Sequence, residues 1–100
     1  MRVIAVKTLR DFSAKHPSAK QSLLAWHDKA CKSNWQTPAD IKRHFASASF
    51  LSDNRVVFNI KGNDFRLITS IAYRLGVVYI KFVGTHAQYD AVDATTVDIN

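Results

Sequence analysis

The chain has 100 residues and a mass of 11.3 kDa, enough for a single domain over residues 1–100 and too little for a second core. Apolar side chains make up 47% of it and aromatic ones 11%, which excludes global disorder. No apolar run nears the roughly 18 residues of a membrane span, and the opening MRVIAVKTLRDF turns charged too early for a secretory leader, so a cytoplasmic protein is expected.

Fourteen Lys and Arg against eight Asp and Glu leave a net charge of +6 and a pI near 9.8. That balance favours polyanions, chiefly nucleic acid, although it serves plain solubility equally well. The single cysteine, Cys31, rules out an internal disulfide and a cysteine-rich zinc site, and is expected to be buried and inert.

In chain order, Arg2 to Val6 reads as a short leading strand. Four hydroxyl residues are then each followed, three positions on, by an acceptor side chain: Thr8 with Asp11, Ser18 with Gln21, Thr37 with Asp40, Thr85 with Gln88. At that spacing the hydroxyl takes one orphan backbone N–H and the later side chain reaches back to another, so each pair marks a helix start. The helices expected behind the first three run from Thr8 to about Lys15, from Ser18 to about Ala30, and from Pro38 to about His44. Leu23, Leu24, Trp26 and Ala30 form the apolar stripe of the second. Ile41 and Phe45 anchor the third. Trp26 and Trp35 read as packing residues, and His16, His27 and His44 lie on or beside helices with no charged constellation around them.

The period changes in the second half. Arg55 to Lys61, RVVFNIK, alternates with period two; Gly62-Asn63 makes a two-residue turn; Asp64 to Tyr73, DFRLITSIAY, returns. A turn near Gly76 leads into Val77 to Val83, and Thr85 opens a short terminal helix. The expected fold class is α+β: an N-terminal strand and helices packed on one face of a mainly antiparallel sheet, with a short C-terminal helix and a tail that frays after Ala94. The turn pairs Lys61 with Asp64, Ile60 with Phe65, and Asn59 with Arg66. Phe58, Ile60, Phe65, Leu67 and Ile71 then face the core. Asn59, Lys61 and Arg66 face away from it near the turn, with Val57 and Ile68 further along. On the third strand Val78, Ile80 and Phe82 are assigned to the core face, because a slip of one residue would bury Lys81; Thr85 then falls opposite Arg66.

His86 takes the first position of the terminal helix and Tyr89 lies one turn on, where free N–H groups and the helix dipole suit a phosphate. Asn59, Lys61, Arg66, Lys81, His86 and Tyr89 are thus expected on one cationic patch. RNA cleavage needs little more. Arg66 and Lys61 can meet charge building on the phosphate, His86 can move protons near neutrality, and Tyr89 can stack on a base or orient the phosphate. Asn59 and Lys81 complete the RNA-binding set. No metal or cofactor is called for, and no metal-ligand spacing, P-loop or nucleophile elbow occurs. Each residue has a plainer structural reading beside this one: Lys61 with Asp64 as a cross-strand ion pair, Arg66 as a solvated surface cation, His86 as an ordinary first-turn residue. The residues alone define a small basic α+β domain with a candidate anion site.

VVFNIKGNDFRLI followed by VVYIKFVGTHAQYDAVDA resembles the HigB family of toxins, within the RelE-like superfamily. The elements that carry the resemblance are F-N-I-x-G-N-x-[FY]-R-[LI] (Phe58 to Leu67) and T-H-x-x-Y-D (Thr85 to Asp90). The Ile4 strand, the K-H-P break at Lys15 to Pro17, and W-x-T-P-A-D-I-K (Trp35 to Lys42) are compatible with it. The resemblance implies a RelE-like fold and a toxin of a type II toxin–antitoxin system. It further implies a ribosome-dependent endoribonuclease that cleaves translated mRNA in the A site of the 30S subunit. The implied partner is a HigA-like helix-turn-helix antitoxin, through which alone operator DNA is reached. By position, Arg66 matches the hairpin arginine used at the phosphate, and His86 and Tyr89 match the histidine and tyrosine of the second motif; Lys61 stands where relatives vary. A non-catalytic RNA or ribosome binder, a ribosome-independent ribonuclease, and a degenerate partner-binding member remain as competing readings.

Overall fold

The computed structural model describes residues 1–99. β1 (Arg2–Ile4) gives way at once to α1 (Val6–Lys15); a 3-10 turn at Pro17–Ala19 leads into α2 (Lys20–Lys32), and α3 spans Pro38–His44. Then come β2 (Ser49–Phe50), β3 (Arg55–Ile60), β4 (Phe65–Ala72), β5 (Val77–Thr85) and α4 (His86–Asp90). The five strands lie in the order β1-β5-β4-β3-β2. The α+β class, the helices, the antiparallel meander and the short last helix are as expected. β2 was not foreseen; it adds two residues to the edge beyond β3. β1 runs parallel to β5, with Val3 beside Val78, and a parallel neighbour this far along the chain requires the long helical crossover that α1 to α3 supply.

Two of the four expected caps form. At α3 the Thr37 hydroxyl accepts from the Asp40 N–H at 3.4 Å while the Asp40 carboxylate accepts from the Thr37 N–H at 3.2 Å. The matching pair closes α4. Thr8, however, lies inside α1, which starts at Val6 as soon as β1 leaves the sheet; Asp11 is bound to Lys7 at 2.8 Å instead. Ser18 sits within the 3-10 turn, and α2 has no side-chain cap.

The helices pack one face of the sheet around Phe58. Its ring lies 5.3 Å from Trp26, 6.2 Å from Trp35 and 5.1 Å from Phe45, centroid to centroid. One β3 side chain thus takes a ring from α2, from the loop after it, and from the end of α3. Offset and edge-on aromatic pairs add to plain area burial, so this cluster ties all three segments to the meander. Trp35 donates its indole N–H to His44 Nδ1 at 3.2 Å, and His16 stacks on Phe12 at 4.4 Å; both histidines are packing groups. α2 buries Leu23, Trp26 and Ala30. Leu24, expected in that stripe, is 52% exposed. Cys31, expected buried, is exposed too: it follows Ala30 and so lies about 100° around the helix from the buried line.

Removing the central ring leaves a cavity bounded by three others. Phe58→Ala is expected to cost about 3–5 kcal/mol in urea unfolding, and Phe58→Leu clearly less. The α3 box gives a pH signature. The Gln36 N–H, and after it the Thr37 N–H and Arg43, hold the Asp40 carboxyl below its ordinary value of 3.8. The unfolded chain therefore takes the proton first as pH falls. The contribution of the box is complete above that ordinary value and is lost as pH drops through the lowered one. Thermal melts across that window should show wild type losing more stability than Asp40→Asn.

Candidate active site

Side-chain alternation along β5 breaks at Lys81. Thr69 pairs with Ile80 and Ile68 with Phe82, so Lys81 is the extra residue of a β-bulge. Before the bulge, Val78 and Ile80 face the helices as expected. Beyond it the two faces exchange: Val83 pairs with Leu67 and packs against the core, while Phe82 pairs with Ile68 on the opposite face. Phe82 is therefore not a residue of the main core, because the alternation behind that assignment is interrupted by one residue. The same shift puts Gly84, rather than Thr85, across from Arg66, and Thr85 across from Phe65.

Where β3, β4 and β5 all pair, the face turned away from the helices carries three cross-strand rows. Nearest the hairpin turn are Asn59, Arg66 and Gly84; next come Val57, Ile68 and Phe82; then Arg55, Ser70 and Tyr79. In the first row the Arg66 guanidinium stands 5.6 Å from the centre of the Tyr89 ring, a cation–π distance. One of its nitrogens donates to the Asn63 carbonyl at 3.2 Å. The arginine is thus held between the hairpin turn and α4.

Local chemistry fixes α4 in that place. The Thr85 N–H donates to Gln88 Oε1 at 2.8 Å and the Gln88 N–H to Thr85 Oγ1 at 3.1 Å. The His86 N–H donates to the Asp64 carbonyl at 3.1 Å, which ties the helix start to the hairpin. The Thr85, His86 and Gln88 amides, expected to be open to a phosphate, are engaged by the protein's own acceptors. His86 Nδ1 lies 3.0 Å from the Asp90 carboxylate; its Nε2 has no partner among the described residues. The imidazole is half-exposed, with 49% of its side chain open to solvent.

Of the six residues marked by sequence, the fold joins Arg66 and Tyr89 by contact, sets Asn59 across the ladder from Arg66, and puts His86 one turn before Tyr89. The other two stand apart. Lys81 Nζ is 3.1 Å from the Asp98 carboxylate and 5.8 Å from the centre of the Tyr79 ring. Lys61 is exposed in the turn and makes no ion pair with Asp64 among the described residues. The Asp64 N–H donates to the Lys61 carbonyl at 3.2 Å, so Gly62-Asn63 is the centre of the turn, and Asn59 pairs with Arg66, both as expected; the left-handed residues are Lys61 (φ 52°) and Gly62 (φ 63°). Asp90 was missed, although its i,i+4 spacing from His86 is the signal that finds it. Arg55 was missed as well. It donates to the carbonyls of Ala94 at 3.1 Å and Val97 at 2.8 Å, so the tail expected to fray is held against this face. Beside it, the Asp93 carboxyl is kept below the usual range by the Thr95 hydroxyl first, with a smaller pull from Arg55. No three His, Cys, Asp or Glu among the described residues are placed to hold a metal ion.

Helices on one face of a five-stranded mixed sheet, with a short helix folded back after the last strand, make this a RelE-like fold. The sequence model of the HigB toxin family, the RelE-like toxic component of a toxin–antitoxin system, matches residues 19–92, and the chain belongs to that family. The mRNA interferase toxin HigB of Escherichia coli K12 is 32% identical over 92 residues, covering 90% of this chain and 88% of that relative. The mRNA interferases HigB of Escherichia coli O157:H7 and Shigella flexneri show the same identity and coverage.

Gly84 is the tight point of the site. A Cβ there would meet Phe82 Cζ at 2.6 Å and Gln88 Oε1 at 2.9 Å, displacing the ring and opening the α4 cap. Gly84→Ala should cost about 1–3 kcal/mol, and amide exchange in Gln88 to Ala91 should accelerate more than elsewhere.

Proposed function

We propose that this toxin is an endoribonuclease that cuts translated mRNA on the ribosome, in the A site of the 30S subunit, and so stops translation and growth. The observation that carries the reading is the Arg66–Tyr89 contact at the end of the sheet, with His86 on the same short helix as the tyrosine. The relatives named as mRNA interferases support it. In the reaction the 2′-hydroxyl gives up its proton and its oxygen attacks the adjacent phosphorus. The bond from phosphorus to the 5′-oxygen breaks, and that oxygen takes a proton as it leaves, giving a 2′,3′-cyclic phosphate and a 5′-hydroxyl.

Negative charge grows on the non-bridging oxygens as the attack proceeds, and a fixed guanidinium there stabilises the transition state more than the substrate. That role falls to Arg66, whose orientation Tyr89 and the Asn63 carbonyl already hold. His86 moves the proton through Nε2, with Asp90 keeping the ring oriented through Nδ1. Tyr89 offers its other edge or face to a base or to the scissile phosphate. Lys61 adds charge from the turn, and Asn59 and Lys81 contact the RNA backbone. These side chains suffice for the chemistry without a metal ion. The toxin acts in the cytoplasm and is neutralised by a HigA-like helix-turn-helix antitoxin, which is its route to operator DNA.

Primer extension on a translated mRNA, with and without ribosomes, tests the reading. New ends only with ribosomes are expected, and Arg66→Ala and His86→Ala should each lower cleavage by about 100-fold or more. Ends on naked RNA would make this a free-standing ribonuclease. A block to translation with no new ends, unchanged by His86→Ala, would make it an occupancy inhibitor.

A further inference from the structure

Building on the RNA-cleaving reading, we infer that Arg55 and Lys81, over the row that ends in Tyr79, form a second RNA-backbone site, which residues Asp93 to Asp98 of the same chain cover in the free protein. What the tail presents there is oxygen. Two backbone carbonyls sit on the Arg55 guanidinium at 3.1 and 2.8 Å, and the Asp98 carboxylate sits on Lys81 at 3.1 Å. A phosphodiester offers the same acceptors with a full negative charge, the stronger partner for both cations.

The site lies on the same sheet face as Arg66. Ser70, in the Arg55 row, is four residues along β4 from Arg66, about 13 Å at the usual strand rise. The row between holds Phe82, which is half-buried. A cationic row, an aromatic ring and a second cationic row in succession are what a single strand of RNA needs to run its backbone across a surface and stack a base on the way.

The tail is built to leave. Among the described residues from Val92 onward there is no helix or strand, and none of them belongs to the buried core cluster. Its hydrogen bonds and ion pair to the face run through Arg55 and Lys81, beside the half-buried Val92, Ala94 and Val97. The Lys81–Asp98 pair is partly open to solvent, with 24% and 39% of the two side chains exposed, and such pairs exchange readily for another anion. Releasing it uncovers two cations and removes Asp93 and Asp98 from the path, at no cost to the aromatic cluster around Phe58.

The test uses a 2′-O-methyl RNA oligonucleotide, which binds but cannot be cut. Its affinity is measured by fluorescence anisotropy against salt, for the full chain and for a chain ending at Val92. The shortened chain should bind about three- to ten-fold more tightly. Its log-affinity against log-salt slope should steepen by about 0.7 to 1.4, one or two further phosphate contacts. Arg55→Ala in the shortened chain should cancel at least half of that gain. A gain that survives both Arg55→Ala and Lys81→Ala would reflect only the loss of two carboxylates and would overturn the proposal. Equal affinity and slope for the two lengths, or weaker binding by the shortened chain, would overturn it while leaving the ribosome-dependent reading in place. The full-length wild type supplies a check independent of truncation: on RNA addition, the amide NMR signals of Asp93 to Asp98 should move to unstructured positions. If they keep their shifts while RNA binds, the proposal fails.

Discussion

One extra residue in β5 decides what the rest of the molecule can do. With an unbroken pleat, Phe82 and Gly84 would face the helices. The bulge at Lys81 turns them outward. Gly84 then stands across from Arg66 and leaves room for Phe82 and for the Gln88 side chain. Thr85 is delivered where it can cap α4, and α4 brings Tyr89 over the Arg66 guanidinium. Bulges re-aim side chains at strand ends, and here a single one re-aims Phe82, Gly84 and Thr85, which set where α4 lies against Arg66.

The two faces of the sheet divide the labour. On one, Phe58 gathers Trp26, Trp35 and Phe45 and joins the helices to the meander. On the other, the hydrogen-bonding side chains sit in rows, half-exposed, around a narrow apolar band. Stability and chemistry thus draw on different residues. Substitutions at Arg66 or Arg55 change the outer face of the sheet and leave the aromatic cluster, on its other face, in place.

The legible features share a short range. The pairing of Asn59 with Arg66 follows from a glycine turn two residues away, and the boxes at Thr37 and Thr85 are spelled out within four residues. The expectations at Thr8, Ser18 and Leu24 fail because a helix boundary or a helix face lies one or two positions away, and that at Cys31 because a burial tendency of the residue type does not fix the helix face it occupies. The bulge left no local mark: VVYIKFV alternates in apolar character closely enough to pass for a regular strand, and only the pairing with β4 exposes the extra residue. Arg55 was out of reach for another reason. Its partners lie 39 and 42 positions away, beyond any spacing rule. Among the site residues, Arg66, Tyr89 and His86 announced themselves through hairpin register and a cap, whereas Lys81 was marked for its charge and proves to be the bulge itself.

The first strand to be synthesised has one partner in the sheet, and it is near the end of the chain. Arg2 to Ile4 pair with Val77 to Tyr79, so as the chain emerges its leading segment must wait, with one edge unfilled, until those residues have been made. The helices wait too, since the ring that gathers them belongs to β3. Long-range pairing of this kind slows folding, and the sheet, with the contact of α4 on Arg66, closes only after β5 has been made.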